Sequence, residues 1–167
     1  MIPMPRLLTS GLVPERQAQT YRKPSQAAAA KHVRETPVRP LLLDTAVLLW
    51  WLQDPARLSR VARSRLATVQ DTPLLVSAVS FWEIGLKAQR GQLDLGDTFN
   101  GFMTRIESMS GLSILPVDLA IWRQVLALEW DHRDPVDRII VATAMQHHAT
   151  LVSSDRVIRA FYSQTVW

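Results

Sequence analysis

A chain of 167 residues is long enough for one domain with a real core, and 47% apolar with 20% charged residues is ordinary for a globular protein. No run approaches the roughly 18 uninterrupted apolar residues of a membrane span, and the absence of cysteine excludes disulfides and thiolate-bound zinc and fits a reducing, cytoplasmic setting. The net charge of +4 is unevenly placed: residues 1–40 hold seven basic side chains against two acidic ones, and residues 41–167 hold twelve against thirteen. A body this close to neutral binds a polyanion only through a local basic patch or a bound cation.

Residues 1–38 read as a basic, Pro-rich leader. Six of the ten prolines lie in the first 40 residues and no apolar period persists there. Proline removes donors and breaks helices, so this stretch is expected to be disordered, a short helix around Ala27–Val33 apart. The alternative is a start assigned too early, with Val38 the true one. Leu7–Val13 is too short and too interrupted for a signal peptide. Residues 39–167 form the expected domain.

Within that domain Pro40–Asp44 is a short apolar run, as in a strand buried on both faces. Ala46–Leu52 is helical in character. Ser59 caps a helix to about Gln70, with Leu58, Val61, Ala62, Leu66 and Val69 on its apolar side. Leu74–Ser77 is a second buried strand, and Ser80 opens a helix to about Arg90, stopped by Gly91. A helix over Thr98–Ser110 closes at Gly111. Ser113–Leu115 is a third strand, Leu119–Leu128 a helix, and Pro135–His147 the strongest helix of all. Thr150–Ser153 is a fourth strand, Asp155–Phe161 a short helix, and Gln164–Trp167 a final edge strand. Alternation of this kind implies right-handed crossovers and a three-layer α/β sandwich around a mainly parallel sheet.

The placement of acids is the informative feature. Asp44 ends the first strand, Glu83 falls in the first turn of a helix, Asp134 and Asp137 open the long helix, and Asp155 follows the fourth strand. In a parallel sheet these positions share one edge, where such folds bind ligands. Taken singly, each acid reads as a helix cap: Ser80-x-x-Glu83 and Asp134-Pro135-x-Asp137 have the form of capping arrangements. Caps do not explain why Asp44 and Asp155 both follow buried strands. Carboxylates gathered in one cleft repel unless a cation neutralises them, and oxygen-only ligands select a hard ion, magnesium or manganese. Such an ion activates water for phosphodiester hydrolysis.

The segments LLLDTAVLLWWL (41–52), VSAVSFWEIGLKAQRGQLDL (76–95), HRDPVDRIIVATA (132–144) and LVSSDRVI (151–158) resemble the PIN-domain family, and most closely VapC-type toxins of bacterial type II toxin–antitoxin pairs. The resemblance runs from about Arg39 to Trp167 in order and spacing. It implies a magnesium site (with manganese able to substitute) formed by Asp44, Glu83, Asp137 and Asp155, which are also the catalytic residues. Asp44 and Asp137 are the foremost ligands, with Glu83 and Asp155 joining directly or through water. It further implies endoribonuclease activity, often on structured RNA such as tRNA, inhibition by a cognate antitoxin, and a homodimer. Asp134 is then the cap that fixes the helix of Asp137. Ala46 departs from the pattern, since relatives often carry His or Ser there, and a contact to RNA is left unaccounted for. Thr45 is placed to bond Asp44 or a water.

Arg138 and Lys87 are candidate RNA contacts: Arg138 is at a helix start where exposure is the ordinary outcome, and Lys87 with Arg90, on the face of Glu83, could line the groove or equally bind a carboxylate of the antitoxin. Ser80 stands near the site, and His132 and Arg133 flank the acids. His147 and His148 need only a helix-end role. Trp50, Trp51 and Trp82 fall in apolar helical runs, which favours core or interface over base stacking. A phosphatase of the haloacid-dehalogenase type needs a second acid at Ala46 and is set aside. The remaining alternative is a catalytically silent PIN-like module that binds RNA or protein.

Overall fold

The structure, a computed structural model, describes residues 39–67 and 72–167, so the leader and the expected helical turn at Val69–Gln70 lie outside the described residues. Five short strands form one sheet: β1 (Leu41–Leu43), β2 (Leu74–Ser77), β3 (Leu112–Leu115), β4 (Thr150–Val152) and β5 (Thr165–Val166). Their spatial order is β3-β2-β1-β4-β5 and every pairing is parallel. The helices are α1 (Thr45–Gln53), α2 (Arg60–Leu66), α3 (Ala78–Gln89), α4 (Phe99–Glu107), α5 (Leu119–Ala127), α6 (Pro135–Gln146) and α7 (Arg156–Phe161), with a 3-10 turn at Pro55–Arg57.

Strand side chains alternate between faces, so a buried run feeds two cores. Leu42, Leu75 and Leu151 face α5, α6 and α7, where Ile121, Ile140 and Ile158 are fully or almost fully enclosed. Leu41, Leu43, Val76 and Val152 face the opposite layer, with Val47, Ala62, Ile84 and Phe102. The sheet is therefore covered on both sides, the three-layer sandwich expected from the alternation of elements.

Several boundaries differ from the expectation. Ser77, not Ser80, is the N-cap of α3, and its hydroxyl accepts from the Val79 amide. Ala78 and Val79 look like a continuing strand in sequence, which displaced the expected start by one turn. Glu83 consequently sits in the second turn, and Ser80-x-x-Glu83 is not a capping box. Val61 is exposed, whereas Ala62 and Leu66 carry the apolar side of α2. The helix α4 stops at Glu107, short of Ser110. Ser59, Thr98, Asp134 and Asp155 all cap as their residue types suggest.

The order of strands fixes where a site can form. The chain winds outward from β1 through β2 to β3, then returns to lay β4 on the other side of β1. The crevice beyond the carboxyl ends of β1 and β4 is thus a topological switch point.

Candidate functional site

Asp44 follows β1 at that crevice and is 7% exposed. Its backbone amide donates to the Val152 carbonyl of β4 at 3.1 Å, which continues the ladder one residue beyond the strand. Its Oδ2 accepts from the fully buried Ser153 hydroxyl at 2.6 Å. Ser153 Oγ in turn accepts from the Asp155 amide at 3.1 Å, so the turn after β4 holds the serine that holds the acid. Beneath, Thr45 Oγ1 donates to Ser80 Oγ at 3.0 Å, a buried pair that ties the start of α1 to α3.

Asp137 enters from the first turn of α6, whose N-cap Asp134 accepts from the Val136 amide at 2.8 Å. Its Oδ2 lies 2.6 Å from His132 Nε2. Glu83 reaches in from α3 and is paired with Lys87 one turn on. Asp155 Oδ1 accepts from the amides of Val157 (2.6 Å) and Ile158 (3.0 Å), capping α7.

The Asp44 carboxyl is pushed up to about 6, chiefly by burial, with the charges of Asp137 and Glu83 adding to the rise and the Ser153 hydrogen bond opposing it. Asp137 is likewise raised, first by burial and then by Asp134 and Asp155, against the pull of His132. Asp44 thus feels the charges of Asp137 and Glu83, and Asp137 that of Asp155. Among the described residues, however, no three Asp, Glu or His groups already stand close enough to enclose an ion. Asp44 and Asp137 each give one oxygen to a neighbour, and Asp155 is engaged as a cap. The donor set is all oxygen and is destabilised by its own charge, which fits a hard divalent cation.

Arg138 is half-buried rather than exposed: its guanidinium donates to the carbonyls of Val125 (3.0 Å), Leu128 (3.3 Å) and Trp130, at the end of α5. Lys87 is half-exposed and ion-paired with Glu83 at 2.5 Å. Trp82 is 57% exposed, and with Trp122 it lines an apolar groove against Val79, Val136 and Ile139, while Trp50 and Trp51 pack on the core. Sequence reasoning also missed Ser153, since a serine after a buried strand carries no distinguishing spacing. It missed the stacked series Phe161–Trp130–His132 as well, although HRD beside Asp137 marked the segment.

A parallel sheet covered on both faces, with the buried Asp44 at its switch point, defines an α/β domain of the three-layer class. The chain belongs to the PIN-domain family, whose model matches residues 41–163. It is 30% identical over 132 residues to Ribonuclease VapC22 of Mycobacterium tuberculosis, covering 76% of this chain and 98% of that protein. A toxin-antitoxin complex from Klebsiella pneumoniae is similar with TM-score 0.53 at 21% identity, over 76% of this chain and 96% of that one. VapBC2 from Rickettsia felis, bound to a DNA fragment from their promoter, gives 0.55 at 13% identity, over 72% and 92%. At these identities the solved structures show the fold alone.

Proposed function

We propose that this chain is a metal-dependent endoribonuclease and the toxin of a type II toxin–antitoxin pair. The observation that carries this is Asp44, buried at the switch point with its carboxyl pushed up to about 6, chiefly by burial and then by the nearby charges of Asp137 and Glu83. Family membership and the similarity to a ribonuclease across nearly the whole of that protein support the reaction class.

Asp44 and Asp137 would hold magnesium, or manganese in its place, and Glu83 and Asp155 would complete the site directly or through water. When bound, such an ion lowers the pKa of a coordinated water and offsets charge on the phosphorus under attack. The protein's own part is positional. Ser153 orients Asp44, the Asp134 cap fixes the start of α6, and the Thr45–Ser80 pair sets the floor. Lys87 neutralises part of the charge of Glu83.

In this reading the substrate is RNA and the chain acts in the cytoplasm. The partner is a small antitoxin protein, as the toxin–antitoxin complexes of the same fold suggest, and a homodimer is part of the same reading, by family likeness alone. Among the described residues no helix is long and apolar enough to cross a membrane. The test is cleavage of total RNA by the purified chain with EDTA and then with excess magnesium. Cleavage that stops with EDTA and returns with magnesium supports the reading; cleavage that survives chelation contradicts it. No cleavage in either condition favours a silent RNA- or protein-binding module.

A further inference from the structure

We propose that His132 is a positioning residue for the cation site: it holds Asp137 Oδ2, so that the other oxygen is the one offered to the ion, and Trp130 and Phe161 hold His132. The inference rests on the metal-dependent reading above and deepens it.

His132 and Asp137 are five residues apart, but only Asp137 is helical, so α6 does not dictate their 2.6 Å contact. An ionised carboxylate only accepts, and the hydrogen therefore sits on Nε2 of the imidazole. The loop must deliver that nitrogen, and the structure shows how. The imidazole stacks on the Trp130 indole with ring centres 4.2 Å apart and planes 14° from parallel. The same indole stacks on Phe161, at 4.5 Å and 8°. Phe161 ends α7, the helix whose N-cap is Asp155. One stacked column thus ties α7 to the carboxylate of α6. Arg138 fixes the base of the column, since it donates to the carbonyls of Leu128 and Trp130 in the loop that carries the indole.

Asp44 is treated in the same way, with its Oδ2 taken by Ser153. Each foremost acid therefore has one oxygen committed to a neutral or cationic donor of the protein. That arrangement favours one-oxygen coordination from each acid and fixes the direction of approach. Partners of this sort are typically worth about 10- to 100-fold in metal affinity or activity. The competing account is that His132 merely occupies Asp137 and must leave before an ion enters. The two accounts predict opposite signs.

The test is manganese affinity of the full chain, by calorimetry or by the electron paramagnetic resonance of free Mn2+, with metal-free melting of each variant beside it. The expected result is that His132→Leu weakens binding roughly tenfold or more, while His132→Gln, which keeps a donor near Nε2, recovers most of it. Trp130→Ala should weaken binding without touching Asp137, add little to His132→Leu, and be restored by Trp130→Phe. His132→Leu binding as tightly as wild type or tighter overturns the proposal, and so does Gln no better than Leu. If His132→Leu melts below the assay temperature, the Trp130 pair decides by the same signs. Wild type that binds no manganese, or binds it equally after Asp44→Asn, removes the metal reading itself, and the role of His132 falls with it.

Discussion

Replacing Asp44 by Asn should make the metal-free protein more stable, although it removes a residue essential to the proposed chemistry. Asp44 is almost fully buried, and its carboxyl is pushed from 3.8 up to about 6, chiefly by loss of solvent. One pKa unit corresponds to about 1.4 kcal/mol, so holding the ionised form in the fold at pH 7.5 costs on the order of 3 kcal/mol. Asn keeps the shape and an oxygen that accepts from Ser153, but not the charge. Allowing for a weaker hydrogen bond, a gain of roughly 1 to 3 kcal/mol is expected, a rise in Tm of about 3 to 10 °C for a domain of this size.

The pH dependence has a definite sign. The folded-state pKa lies above the unfolded value, so between about pH 4 and 6 the native state binds more protons, and wild-type stability falls as pH rises through that window. The advantage of Asn opens across the same window and is absent below about pH 4. The assay is thermal melting in EDTA from pH 4 to 8, repeated with excess magnesium, which should raise wild type and leave Asp44→Asn unmoved. A variant less stable than wild type at pH 7.5 in EDTA would refute the reasoning, because the carboxylate would then not be strained by its burial.

Ser153→Ala removes the donor to Asp44 and the acceptor of the Asp155 amide. It should cost about 1 to 3 kcal/mol in urea unfolding and weaken manganese binding; an unchanged midpoint would deny it the orienting role. Asp155→Ser keeps a capping oxygen at α7, so stability should hold within about 0.5 kcal/mol while manganese affinity drops with the lost charge. Unchanged affinity would leave Asp155 as a cap alone. Arg138→Ala strips one cation from three carbonyls at the end of α5 and should destabilise by about 2 to 3 kcal/mol. A loss of RNA affinity with no loss of stability would return Arg138 to substrate binding.

Much of the fold was legible because its signals are local. LLLD, LLVS and TLVS are short apolar runs between turn signals, and Ser59, Thr98, Asp134 and Asp155 are cap-forming residue types where helices begin. The exceptions arise where two local signals compete or a distant partner decides. Ser77 and Ser80 are equally good caps, and only the end of pairing with β3 at Ser77 selects the first. Arg138 looks solvent-facing on a helix start, and nothing local tells that the carbonyl end of α5 meets it. For the site, Asp44 and Asp137 were readable as acids at a strand end and a helix start. Ser153 and the Trp130–His132 stack were not, because their roles exist only once β4 lies beside β1 and α7 is docked.

The most direct test is where an ion sits. A crystal of the full chain soaked in manganese, measured at the manganese absorption edge, should give an anomalous peak about 2 Å from one oxygen of Asp44 and one of Asp137. Manganese bound elsewhere, or no peak with both carboxylates ordered and facing each other, would contradict the account.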